Sequence, residues 1–262
     1  MNSHWDLRLP YVRRAALAVW RRNVLVWRKL IGPSLLINFG EPLLYLLGLG
    51  LGLGSFVGQM SGLPYLTFLA SGIVASSAMN TATFEGMYSV YTRMVPQRTY
   101  ESMLATPIDV DDIIAGEMLW CATKSTISGS AILLVAALLG AVHNSAAILA
   151  IPVTFLVGLC FAGPAIAMSA FSKSYDFFNY YFTLIITPMF ILCGVFYPIQ
   201  TLPQALQAAV QFLPLTHAVA LIRPLVAGQT VATPLVHLSV LAGYAGLGYY
   251  LSVVLVRRRL IV

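Results

Sequence analysis

Residues 187–224, TPMFILCGVFYPIQTLPQALQAAVQFLPLTHAVALIRP, form the last long excursion out of an otherwise apolar chain. Pro188 sits inside an apolar run, and Pro198, Pro203 and Pro214 each remove a backbone donor and stop a helix from continuing. Leu206, Val210 and Leu213 nevertheless keep an apolar stripe at helical spacing. The segment reads as the end of a membrane helix followed by a proline-punctuated shelf that leaves the bilayer core and stays against its surface.

The rest of the chain agrees with a membrane setting. Of 262 residues, 59% are hydrophobic and 9% charged, against roughly 25% charged in a soluble domain. Charges fall between apolar runs of about 20 residues, the length that crosses a hydrocarbon core of roughly 30 Å as a helix. Barrel strands would be about half as long and would alternate, so the fold class is all-α integral membrane. The net charge of +6 comes from residues that flank spans and form no groove-sized patch, which excludes nucleic acid and points to the membrane lipids. Cys121, Cys160 and Cys193 lie in apolar runs without a CxxC pair and read as packing residues. No small-x-small cleavage site follows the first apolar run, so the first span is expected to be retained.

Taken in order, residues 11–31 read as an amphipathic helix in the cytoplasmic headgroup layer. Arg14, Arg21 and Arg28 share one face, and Val12, Ala16, Val19, Trp20, Val26, Trp27 and Leu30 the other. Span 1 (33–54) carries Glu41 before Pro42; a carboxylate there costs roughly 2.5–3.5 kcal/mol unless paired. It either meets the polar part of a cargo or makes a hydrogen bond at the proline kink. Gly48, Gly50, Gly52 and Gly54 give overlapping GxxxG pairs for close helix contact. Span 2 (63–84) is rich in Ala, Ser, Thr and Gly, suited to tight packing or to lining a polar path. The loop 85–117 holds Glu85, Glu101, Asp109, Asp111, Asp112 and Glu117. Within it QRTYESMLA (97–105) predicts a short helix, and Thr106-Pro107-Ile108-Asp109 predicts a cap and the start of the next helix. Span 3 (118–142) has Lys124 near its inner end, placed to snorkel to the headgroups. Span 4 (146–171), span 5 (177–196), the external shelf (197–233) and span 6 (234–256) complete a single domain of six spans. With both termini cytoplasmic, every Lys and Arg except Arg223 falls inside, as the positive-inside rule requires.

No G-x-x-x-x-G-K-[ST] loop is present, so the chain does not hydrolyse ATP by that route. His4, His143, His217 and His237 show no ligand spacing, and no metal site is expected. Ser71 and His237 both lie toward the outer side, but a rhomboid-type Gly-x-Ser-Gly lacks its first glycine here.

Several motifs carry a family resemblance. The Gly-Val-Phe-x-Pro step, the Leu-Pro and the Leu-Pro-Leu-x-His of the opening stretch resemble the membrane subunit of an ABC-2 type exporter. So does Arg98-x-x-Glu101-x-x-x-x-x-Pro107. Gly116-Glu117-Met118 with Trp120, Asp176-Phe177-Phe178-Asn179-Tyr180 and Phe212-Leu213-Pro214-Leu215-Thr216-His217 resemble the nodulation-factor (lipo-oligosaccharide) exporter permeases, the NodJ-like group. The resemblance implies a homodimer bound to two copies of an ABC ATPase subunit in an inner membrane, with ATP and Mg on that partner and no cofactor in this chain. It implies a coupling helix carrying Arg98, Tyr100, Glu101, Leu104 and Pro107; the polar and aromatic residues of spans 1, 2 and 5 add the expectation of a translocation pathway touching Glu41, Tyr45, Ser71, Phe196 and Tyr197. The implied cargo is an amphiphilic, glycolipid-like molecule. The alternatives are a drug-efflux permease of the same family, an ion-coupled carrier using Glu41 and a scaffold with no transport.

Overall fold

The computed structural model describes residues 7–29 and 31–261, with the side chains at 33–39, 41 and 261 outside the described set. Helix α1 (Ala15–Arg28) precedes α2 (Ile31–Leu47), which runs through a π-helical turn (Gly48–Leu53) into α3 (Gly54–Val57). A two-stranded antiparallel hairpin follows, β1 (Gln59–Met60) and β2 (Leu63–Pro64), with Gln59 opposite Pro64. Its loop residues Ser61 and Gly62 both have positive φ, as the tight primed turns of hairpins require. Helix α4 (Tyr65–Phe84) continues through a second π turn (Glu85–Ser89) into α5 (Val90–Met94), and a short helix α6 (Thr99–Leu104) leads to α7 (Val110–Leu138). A 3-10 turn (Ser145–Leu149) opens α8 (Ala150–Phe171). Helix α9 (Asp176–Tyr181), a third π turn (Phe182–Ile186) and α10 (Thr187–Leu192) form one interrupted rod. Helices α11 (Gln204–Val210), α12 (Pro214–Ala227) and α13 (Pro234–Ile261) complete the chain.

Among the described residues, three helices are long and apolar enough to cross a membrane alone, namely Val110–Leu138, Ser145–Phe171 and Pro234–Leu260. The bent pair α11 and α12, meeting at 87°, passes the same test together, and Pro42–Val57 and Asp176–Leu192 are shorter apolar helices. Helix α4 has 20 residues, but its Ser, Thr and Asn content dilutes it. The architecture is thus multi-span and helical, with several rods broken by π turns.

Several boundaries move for identifiable reasons. Helix α7 begins at Val110 and not at 118, because Asp109 caps it and the Asp112 carboxylate accepts from the Asp109 N–H at 3.4 Å. The expected cap Thr106 instead donates its hydroxyl back to Met103 O at 2.6 Å, closing α6. Residues 11–14 lie outside α1, since the Tyr11 and Arg13 amides donate to Asp111 (2.9 Å) and Asp112 (2.8 Å). Arg257 clamps the same Asp111 carboxylate through both oxygens. The tryptophans of α1 face protein and not lipid: Trp20 donates to Thr123 at 3.0 Å and the Trp27 ring packs edge-on against Trp120. Val12 and Val26, expected on the apolar face of an interfacial helix, are exposed. The second half of the shelf is no surface element either, because α12 buries Leu215, Ala218, Val219, Leu221 and Ile222 against α4, α8 and α13.

The centre of the bundle is α4, α7 and α8, with α13 laid along α8. The closest approach there is backbone to backbone: a Cβ on Gly163 would stand 2.5 Å from the Gly248 carbonyl carbon. Gly163→Val is therefore expected to overpack the seam by about 1–3 kcal/mol or more and lower the melting temperature of the detergent-solubilised protein. Gly246→Val, with nothing within 4 Å of its added Cβ, is expected to leave the melt unchanged.

Candidate functional site

Helix α6 has two faces. Tyr100 is fully buried and Met103 and Leu104 are half-buried against the core, whereas Arg98, Glu101, Ser102 and Pro107 are exposed. The five residues expected to form one docking element therefore divide: Tyr100 and Leu104 fasten the helix, and Arg98, Glu101 and Pro107 are offered outward. Arg98 takes a left-handed backbone (φ 50), an arrangement that costs a non-glycine residue roughly 1 kcal/mol or more. Its contact with Glu101 at 3.9 Å is between two exposed side chains and contributes little stability. Burial pushes the Tyr100 phenol well above its ordinary pKa, and the neighbouring Glu117 carboxylate adds to the effect.

Beside Tyr100 lies a buried charge network that joins four elements. Arg93 on α5 donates to both Glu117 oxygens, at 3.0 and 2.7 Å, and reaches Glu85 at 3.3 Å. Lys124 on α7 donates to the other Glu85 oxygen at 2.8 Å, and the Trp120 indole donates to Glu85 at 2.9 Å. Asn23 on α1 donates to Glu117 at 2.9 Å. Lys124 therefore does not snorkel to the headgroups; it is held inward by Glu85. Two carboxylates face two cations, so the group is neutral as a whole, the condition for burying charge without a large desolvation penalty.

The second constellation is a cavity of about 350 Å³ between α2, α4 and the rod 176–192. Ser77, Asn80, Thr81 and Thr187 give it polar groups, and Tyr45, Phe84, Phe182 and Phe190 give it aromatic faces. Ser77 is already engaged with Ser128 at 2.6 Å. Tyr45 packs edge-on to Phe190 and Phe196, with ring centres 5.7 and 6.0 Å away. Of the expected pathway residues, Tyr45 and Phe196 therefore meet, and Tyr197 is half-buried just beyond. The Glu41 side chain lies outside the described residues, although Pro42 beside it lines the cavity.

Ser71 belongs elsewhere. Its hydroxyl donates to Phe68 O at 2.7 Å and accepts from Arg223 Nε at 3.1 Å. Arg223 also donates to Phe68 O and Gly194 O and lies 3.6 Å above the Phe68 ring. This clasp ties α12 to α4 and to the turn after α10. His237 is engaged with His217 (Nδ1 to Nδ1, 2.8 Å), whose Nε2 lies 2.8 Å from Gln211 O. A carbonyl only accepts, so His217 carries its proton on Nε2 and takes one from His237. Ser71 and His237 thus form no hydrolytic pair. Among the described residues no group of three or more His, Cys, Asp or Glu is placed to hold a metal.

The sequence pattern missed the network, the clasp and the histidine pair. A partial signal existed in Glu117 and Lys124, seven apart on one face of an apolar helix: about two turns separate them, too far to neutralise each other, so each needs a partner from elsewhere in the chain.

Residues 12–226 match the model of the ABC-2 type transporter family. The chain is 47% identical over 244 residues, covering 93% of it and 94% of the relative, to Nodulation protein J of Rhizobium leguminosarum bv. viciae. To Nodulation protein J of Rhizobium meliloti it is 44% identical over 244 residues, 93% of each. It is 22% identical over 205 residues, covering 78% of it and 80% of the relative, to the inner membrane transport permease YadH of Escherichia coli. No solved structure matches.

Removing one member of the network leaves an uncompensated buried charge. Glu117→Ala is expected to cost about 3–5 kcal/mol, read as a large drop in thermal stability, and Arg93→Met in the same chain should restore part of it. His237→Leu removes the ring that faces His217 across α12 and α13, and hydrogen exchange in residues 204–227 is expected to rise in that variant relative to the native protein.

Proposed function

This chain belongs to the ABC-2 type transporter family, and on that premise we propose that it is the permease subunit of an ATP-driven exporter, working as a homodimer with two copies of a separate ATPase. In this reading the chain supplies a path and no chemistry, while ATP and Mg reside on the partner. The observation that carries it is α6, a short helix with an exposed charged outer face and an inner face keyed into the bundle through Tyr100. A push on Glu101 from a partner closing on nucleotide has a rigid route inward, because Tyr100 rests beside the Arg93–Glu117 pair that holds α1, α5 and α7. Six crossings with both termini cytoplasmic in an inner membrane are supported by the placement of every Lys and Arg but Arg223 on one side.

The cargo in this reading is an amphiphile of the lipo-oligosaccharide type. The cavity between α2, α4 and the rod 176–192 supports it, with polar groups for hydroxyl-rich headgroups and aromatic faces for sugar rings or chains. Relatives named Nodulation protein J share more than 40% of residues over nearly the whole chain, which favours this cargo over the drug-efflux alternative. An ion-coupled carrier using Glu41 has one observation in its favour, since Pro42 beside it lines the same cavity. It predicts transport that survives ATP depletion and fails when the proton gradient is collapsed.

Glu101→Arg changes an exposed residue and should leave the fold intact. We expect it to abolish co-purification of the ATPase and to stop export, with the thermal melt of the permease unchanged. Unaltered association and export would remove α6 from the coupling role.

A further inference from the structure

A second cavity, of about 380 Å³, opens beside the charge network between α1, α5 and α7. Its size is that of small-ligand pockets. Its walls carry Arg22, Lys124, Trp27, Trp120, Tyr88 and Tyr175, cations and aromatic faces in close alternation. Tyr88 and Tyr175 lie nearly parallel with ring centres 6.1 Å apart, and the Tyr175 hydroxyl shares a hydrogen bond with Thr92 at 2.8 Å, so this wall is fixed.

Arg22 is the group left over. Glu85, the carboxylate in the cavity lining, and Glu117, bonded to the lining residues Arg93 and Asn23, are already taken by Arg93, Lys124, Trp120 and Asn23. Among the described residues Arg22 meets no carboxylate, and its hydrogen bond is to Asn23 Oδ1 at 3.1 Å. Arg22, Arg93 and Lys124 face the single lining carboxylate Glu85, and counting Glu117 behind them still leaves one positive charge in excess. Partial burial depresses the Arg22 pKa, and the adjacent Arg93 guanidinium depresses it further, against a smaller opposing effect of Glu117. A half-buried, under-compensated guanidinium at a cavity wall is where an anion gains most. Val26 lines the cavity and is itself exposed, which gives an apolar way out along the outer side of α1.

We infer that this cavity binds the singly charged anionic headgroup of a membrane amphiphile, with Arg22 as its charge partner and Trp27, Tyr88 and Tyr175 framing the headgroup. The acyl part leaves past Val26 into the lipid beside α1. Two sources supply this chemistry, a resident anionic phospholipid and an exported amphiphile bearing an acidic group. The assignment itself stands on the cavity and does not rest on the export reading.

The test uses the full chain in lipid nanodiscs of phosphatidylcholine titrated with phosphatidylglycerol, with retained lipid counted by native mass spectrometry. The native protein is expected to hold phosphatidylglycerol in preference to phosphatidylcholine. Arg22→Gln should weaken that binding about tenfold, the scale of a lost charge-assisted hydrogen bond. Arg21→Gln, the same charge change one residue earlier at a position that does not line this cavity, should change it less than about twofold. Equal losses in the two variants would mean general surface attraction and overturn the assignment, as would equal retention of the two lipids by the native protein. Should Arg22→Gln fail to fold, Tyr175→Ala removes the opposite wall, and unchanged phosphatidylglycerol binding there also overturns it. Added sulfated acyl-oligosaccharide separates the sources. Displacement of phosphatidylglycerol supports the site with the exported amphiphile as occupant, and persistence supports it with phospholipid as occupant.

Discussion

Charge cannot be left alone in a low-dielectric interior, and the placement of Glu85, Arg93, Glu117 and Lys124 follows from that constraint. Each carboxylate meets a cation within hydrogen-bonding distance, and the spare acceptor positions are filled by Trp120 and Asn23. Such a group adds little stability compared with a well-packed apolar core, but separating or removing one member leaves another charge buried without a partner. It draws α1 onto α7, holds α5 against both, and leaves Tyr100 buried beside it. The helix proposed to meet an ATPase is thereby seated on the part of the bundle least free to rearrange.

A second lock at the same end repeats the logic with different partners. Asp111 receives both arms of Arg257 and the Tyr11 amide, and the Asp112 carboxylate takes the Arg13 amide. The start of the described chain, the beginning of α7 and the end of α13 are thus fastened to one another, which explains why the acids of the expected loop are so densely placed. At the other end, Arg223 has carbonyl oxygens, a hydroxyl and an aromatic face in place of a carboxylate. The guanidinium there is dispersed over several weak acceptors.

The apolar runs, the short helix at 99–104 and the family were legible because periodicity, helix breakers and ordered motifs are local properties, whereas the shelf was legible only in its proline breaks and not in the burial of α12. Partnerships were not. Lys124 read as a snorkelling residue and Arg223 as a lone external charge, since nothing along the chain says that Glu85 or Ser71 will stand beside them. The cap at Asp109 was missed for a similar reason: Thr106-Pro107 is a good local start signal, and only the bonds from the Asp109 N–H to Asp112 and from the Thr106 hydroxyl to Met103 O choose the later one. The opposite faces of α6 follow from spacing once the core is known, but the five motif residues look alike until it is.

The π turn at Glu85–Ser89 decides whether the acid and the base on that rod can meet at all. Glu85 and Arg93 are separated by eight positions, and at about 100° per residue an unbroken α-helix would leave them about 80° apart around the axis. A π turn accommodates one extra residue within its loop of the helix, which removes most of that angular offset and brings both side chains onto a single azimuth. The wider turn is therefore a phase correction written into the backbone, and the contact that joins the Glu85–Lys124 and Arg93–Glu117 pairs into one group depends on it.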